Sequence, residues 1–132
     1  WSPSKIFMGD IGSNFLGGVL VWAILNTTSF NNSLALLLIS LPLLLDPLIC
    51  ILIRFIYKEN IFNAHSKHLY QRLVQGGMSH QMVTIIYAIS SAFISFSFFV
   101  GGLKTEIISC LFVVILGLYL NKNFAIDFKR DI

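Results

Sequence analysis

LALLLISLPLLLDPLICILIRFI, residues 34–56, is the stretch on which the fold turns. At ~1.5 Å per residue, a helix of this length crosses the ~30 Å hydrocarbon core of a bilayer. Lipid offers no partner to backbone N–H and C=O groups, so such a run is helical. It is apolar throughout rather than at alternate positions, which excludes a strand of a transmembrane barrel. Two residues interrupt it: Asp46 lies deep within the run, and Pro47 follows. Proline lacks a backbone donor and disfavours helical geometry at the residue before it. A broken helix is therefore expected, one piece ending near Asp46-Pro47 and PLICILIRFIY continuing as a second towards the cytoplasm. A carboxylate at membrane depth is costly and marks a functional site. The break would set Asp46 in a cavity near the surface. Arg54, two turns further on, is either a site residue or a structural ion-pair partner of Asp46.

Three further apolar runs, 11–25, 82–101 and 107–120, complete the pattern. The last is short and can extend through Phe124, Ala125 and Ile126. The predicted fold class is all-α integral membrane, about four transmembrane helices with a central cytoplasmic loop. Composition agrees, with 56% hydrophobic and 11% charged residues, where a soluble domain carries about a quarter charged. With four spans, Lys5, Arg54, Lys58, Lys67, Arg72, Lys122, Lys129 and Arg130 share one side, and Lys104 alone lies on the other. That imbalance places the central loop in the cytoplasm. The net charge of +3 is explained by orientation. No basic–aromatic pattern of a nucleic-acid binder accompanies it. Cys50 and Cys110 sit in separate apolar runs and read as small hydrophobes. In the third run Ser91 and Ser95, four apart, are small residues suited to helix packing. The tail from Asn121 reads as a frayed or interfacial end. The chain opens on WSPSKIFMGD, without an initiator Met or a signal-peptide pattern. It is expected to be the C-terminal part of a single polytopic membrane domain whose N-terminal helices are missing.

Next to the deciding stretch lies its polar counterpart, YKENIFNAHSKHLYQRLVQGGMSH, residues 57–80. Flanked by apolar runs, it lies at a membrane surface. All three histidines are here, and four closely spaced donors, His65, Lys67, His68 and Arg72, suit an anionic group such as a phosphate. Lysines in a cytoplasmic loop also serve simply to set topology. Two histidines three residues apart, one helical turn on one face, point to function.

Near the start, KIFMGDIGSNFLGG, residues 5–18, sets Asp10 between Gly9 and Gly12 just before a membrane helix. Glycines let a backbone approach a ligand closely, and the first amides of a helix favour an anion. A carboxylate there suits Mg²⁺, which takes oxygen ligands and shares them with substrate phosphates. Asp is also a favoured helix cap, so cap and metal ligand both stand on spacing alone.

KIFMGDIGSNFLGG resembles the FMGDxGSxxLG signature of the polyprenyl-phosphate N-acetylhexosamine-1-phosphate transferases, relatives of the phospho-N-acetylmuramoyl-pentapeptide transferase of peptidoglycan synthesis. The likeness continues through LPLLLDPLICILIRFIYKENIFNAHSKHLYQRLVQGGMSH, and the two ordered motifs cover residues 5–80. The resemblance implies a Mg²⁺-dependent phospho-glycosyltransferase of the inner (plasma) membrane, its active site facing the cytoplasm; Mn²⁺ is an alternative ion. It would transfer a sugar 1-phosphate, an N-acetylated hexosamine or deoxyhexosamine, from a UDP-sugar to polyprenyl (undecaprenyl) phosphate, releasing UMP and starting a cell-envelope polysaccharide. Asp10 matches the aspartate implicated in holding the metal. His65 and His68 match the loop histidines that line the nucleotide-sugar site, and Asp46 and Arg54 match conserved positions. Arg54 joins the histidines in holding the diphosphate, with Lys67 and Arg72 as further substrate contacts. The better-known members read nearer to HxHH where this chain has AHSKHLYQRL, which is closer to the branch that builds lipopolysaccharide O-antigen. A homodimer is compatible with the resemblance. The family's Asp-Asp motif and Asn-containing loop, which precede FMGD, are not in these residues, so the 132 residues alone are expected to be inactive. Two other readings are a transporter piece using Asp46 and the broken helix, and a non-catalytic membrane subunit. In the first, Asp46 would matter and the histidines would not; in the second, every site residue would tolerate substitution.

Overall fold

A computed structural model describes residues 9–60, 63 and 66–128. His65, Lys5, Lys129 and Arg130, and the first residues of the FMGD motif, lie outside the described residues. All regular secondary structure among the described residues is helical, without a strand: α1 (Gly9–Leu25), α2 (Phe30–Ile39), α3 (Leu41–Ile56), α4 (Leu69–Gln75) and α5 (His80–Asn123).

The deciding stretch does break, but at Ser40 rather than at Asp46-Pro47. α2 and α3 meet there at 67°, and α3 runs unbroken through both residues with Pro47 inside it. Pro42 accounts for the position. It falls at the start of α3, where a missing N–H costs nothing because the first amides of a helix have no intrahelical partner. The carbonyl of Ser40 accepts from Leu43 and Leu44 at 3.0 and 3.1 Å to open the new helix. The side chain of Ser40 turns back to donate to the Leu37 carbonyl at 2.7 Å.

The third and fourth apolar runs form one 44-residue helical element, α5, interrupted at Gly101 and Gly102. Gly102 has φ 68° and ψ −155°, a conformation essentially closed to residues bearing a Cβ. The chain folds back there into two limbs, 80–100 and 103–123. Their antiparallel pairing shows in side chains far apart in sequence: Ser97 and Ser109 hydroxyls lie 2.8 Å apart, Thr105 Oγ1 donates to the Ser97 carbonyl at 2.7 Å, and the Phe93 and Phe112 rings meet edge-on at 5.9 Å. The limbs close on Ser90, Ile94 and Ser97, one position off the Ser91/Ser95 pair. Ser90 and Ile94 are buried, while Ser91 and Ser95 are only half-buried.

At ~1.5 Å per residue, each limb is long enough to cross the ~30 Å bilayer core. By length and composition α5 passes as one apolar helix, and α2 with α3 as a bent second span. The 17 residues of α1 fall just short of a full span. Large side chains cover the outside, among them Ile11 at 88% exposure and Phe99 at 82%, and an outer surface this apolar is suited to lipid. Two small cores hold the helices together. Ile94, Cys110 and Val113 pack with Leu38 and Ile39 of α2. Leu73 of α4 packs with Val83 and Leu120 from the two limbs, seating α4 across the open end of the hairpin. Cys50 and Cys110 are buried free thiols on different helices.

From Asn121 to Phe128 the tail is ordered rather than frayed. Helix continues to Asn123, and residues 124–128 fold onto α4. The Ile126 N–H donates to the Arg72 carbonyl at 3.4 Å. At Gly76, a side chain would collide with the Phe124 carbonyl oxygen, so glycine is what allows this close approach.

Candidate functional site

Asp46 is the organiser of the loop region. Its side chain, on α3, is 7% exposed. One carboxylate oxygen accepts the Leu69 N–H at 2.8 Å, and the other accepts the Tyr70 N–H at 3.2 Å and the Tyr87 hydroxyl at 2.9 Å. The first two donors are the opening amides of α4, which have no intrahelical partner, and the third comes from α5. A single carboxylate thus ties three helices together. His68, immediately before α4, brings Nδ1 to 3.8 Å from the same carboxylate and stacks on Tyr70 with ring centroids 5.6 Å apart. Gln71 Oε1 accepts the His68 N–H at 3.2 Å, closing the helix start. The transport reading of Asp46 relied on a helix broken at that residue. The break is elsewhere, and the carboxylate accepts three protein donors.

Arg54 does not pair with Asp46. Buried at 3% exposure, it reaches Glu59 Oε2 at 3.3 Å and donates to the Asn60 and Asn63 carbonyls at 2.5 and 3.3 Å. Lys67 closes the clamp from the other end, with Nζ 2.8 Å from Glu59 Oε1. The Lys67 hydrogen bond, and then Arg54, hold the Glu59 carboxyl below the usual carboxylate range. Arg54 is thereby an anchor of the loop backbone, a role invisible in the spacing of charges.

Beneath α4 lies a cavity of about 360 Å³ walled by α3 and both limbs of α5. Its sides are aliphatic, including Leu45, Ile49, Ile53, Ile86, Val113 and Leu116. Its polar lining comes from Asp46, Tyr87, Ser90, Lys67, Arg72 and Asn121, and Phe128 and Tyr57 add aromatic wall. Arg72 is 7% exposed, and its Nε is buried without a hydrogen-bond partner among the described residues. Burial pushes its pKa down, while Asp46 opposes the shift. An apolar chamber with one buried and one half-buried cation, Arg72 and Lys67, is chemically suited to an amphiphile with an anionic head.

The structure therefore brings together Asp46, Arg54, Lys67, His68 and Arg72. It leaves Asp10 apart, exposed on the first turn of α1; among the described helices α1 packs against α2 alone. Among the described residues, no group of three or more His, Cys, Asp or Glu could hold a metal. One carboxylate is nonetheless a usual protein share for Mg²⁺, which completes its shell with water and substrate phosphates. Glu59, Tyr87, Asn121 and Phe128 were not singled out from the sequence. Only Tyr87, a phenol within an apolar helix and so in need of a partner, carried a readable signal.

No family model matches the chain, and no solved structure matches it. Curated proteins similar to it include the Bacillus subtilis (strain 168) "Probable undecaprenyl-phosphate N-acetylglucosaminyl 1-phosphate transferase", 36% identical over 98 residues. That match covers 69% of this chain and 27% of the relative. The Salmonella typhi and Salmonella typhimurium proteins named "Undecaprenyl-phosphate alpha-N-acetylglucosaminyl 1-phosphate transferase" are each 26% identical over 97 residues, covering 69% of this chain and 26% of theirs. The chain thus spans about a quarter of the length of the curated relatives it matches. It is a relative of the polyprenyl-phosphate N-acetylhexosamine-1-phosphate transferases, similar in sequence over that quarter.

Proposed function

We propose that these residues belong to an enzyme that moves a sugar 1-phosphate, an N-acetylated hexosamine or deoxyhexosamine, from a UDP-sugar to polyprenyl phosphate. The observation that carries this reading is the apolar cavity ending at Arg72 and Lys67. Its walls suit an isoprenoid chain, and its two cations suit the phosphate of the acceptor. In the reaction, an acceptor phosphate oxygen attacks the β-phosphorus of the UDP-sugar. A new P–O bond forms, the bond from the β-phosphorus to the bridging oxygen breaks, and UMP leaves with that oxygen. Arg72 and Lys67 bind the acceptor and counter its charge. His68, held beside Asp46, faces the donor diphosphate together with His65. Mg²⁺, or Mn²⁺ in its place, would be held by Asp10 and supply neutralisation of phosphoryl charge. Arg54 acts through the loop it anchors.

The reaction takes place at the cytoplasmic face of the plasma membrane, where Lys and Arg gather, and starts a cell-envelope polysaccharide such as an O-antigen. The 132 residues alone lack activity on this reading, and a homodimer is an allowed assembly. Membranes carrying the transferase should release UMP from a UDP-N-acetylhexosamine only when polyprenyl phosphate is added. His68→Ala should lower that rate at least tenfold, about 1.4 kcal/mol of barrier. UMP release independent of the lipid, or wild-type kinetics in the histidine variant, would contradict the reading.

A further inference from the structure

We propose that Phe128 and Asn121 are positioning residues that aim Arg72 at the anionic head of the lipid in the cavity. The inference rests on the acceptor reading above and adds how the guanidinium is held. All five N–H donors of an arginine lie in the guanidinium plane, and its faces take aromatic rings. Both kinds of contact are present. The Asn121 Oδ1 accepts from Arg72 Nη2, and the Arg72 Cζ lies 5.4 Å from the centroid of the Phe128 ring. The same ring lies 5.5 Å from Lys67 Nζ and 6.3 Å from the Tyr57 ring. With one edge taken by Asn121 and a face covered by Phe128, the Nε–H is left over, buried and without a partner among the described residues. A buried donor on a charged group is costly to leave unmade. Arg72, Asn121 and Phe128 all line the cavity, so the missing acceptor can be an anion seated there. The backbone agrees, since the Ile126 N–H bond to the Arg72 carbonyl, 3.4 Å, fixes the segment that carries Phe128. The fitting head is a phosphate monoester, whose oxygens can take the Nε–H while the stack on the face is kept.

The test is steady-state kinetics on the membrane-embedded transferase, varying polyprenyl phosphate and the UDP-sugar separately. Phe128→Ala should raise the KM for polyprenyl phosphate about tenfold, leaving kcat and the KM for the UDP-sugar within about twofold. Phe128→Tyr, which keeps the ring, should restore the lipid KM to within about twofold, and Asn121→Ala should shift it in the same direction as Phe128→Ala. A wild-type lipid KM in Phe128→Ala would overturn the inference. So would a fall in kcat with both KM values raised and no rescue by tyrosine, the pattern of a merely structural residue. Arg72→Ala separates the two levels. If it raises the lipid KM while Phe128→Ala does not, only the positioning role fails. If it leaves the lipid KM unchanged, the acceptor reading fails with it.

Discussion

Asp46→Ala should release α4 from the helices beneath it and reduce sugar-1-phosphate transfer to below about 1% of wild type. The substitution removes the acceptor for the Leu69 and Tyr70 amides and the Tyr87 hydroxyl. Hydrogen bonds to a charged group are worth about 1.5–3 kcal/mol each, and buried donors left without a partner add their own desolvation cost. These terms are not additive, so a loss of about 2–4 kcal/mol in the local stability of α4 is a reasonable magnitude. The loss should remain local, because α3 and α5 keep their own packing. Amide hydrogen exchange reports it directly: Leu69 and Tyr70 should lose protection while the middle of α5 keeps it. Asp46→Asn retains one carbonyl acceptor and should fall between the two. Unchanged exchange at Leu69 and Tyr70 in Asp46→Ala would show that the carboxylate is not what holds α4.

Asp10→Asn should abolish transfer, by at least about a hundredfold or ~2.7 kcal/mol of barrier, with membrane insertion unchanged. Asp10 is exposed at the start of α1. The hydrogen bonds at this turn come from the Ser13 hydroxyl to the backbone carbonyls of Gly9 and Asp10, at 3.3 and 3.0 Å. Among the described residues these bonds leave the carboxylate itself open to an ion, and its amide replacement removes charge while keeping size. Mn²⁺ binding, followed by its paramagnetic resonance signal, supplies a readout apart from turnover and should weaken in the variant. Turnover within about tenfold of wild type would reduce Asp10 to a helix cap.

Much of this was legible in the residues because the bilayer makes polarity expensive. Asp46 stood out within a hydrocarbon run, and its carboxylate indeed takes three donors from α4 and α5. What it does was hidden, since its partners are backbone amides and a phenol more than twenty residues away. The break was misplaced because the stretch holds two prolines, and only position within the helix distinguishes them. Pro42 opens α3 while Pro47 sits inside it. Arg54 read as a partner of Asp46 or of the diphosphate, and Arg72 as a loop donor. Folding turned one onto loop carbonyls and the other into the cavity, under the control of Glu59, Asn121 and Phe128. Of these three, Phe128 lies 56 positions beyond Arg72 in a tail whose composition suggests no docking.

The most direct test of the account uses a UDP-N-acetylhexosamine labelled with ³²P in the β-phosphate. Transfer of a sugar 1-phosphate carries the β-phosphorus to the lipid, so the label should appear in the organic phase with polyprenyl phosphate and vanish with Asp10→Asn. Label remaining wholly with the nucleotide, as UDP or unreacted donor, would contradict the account.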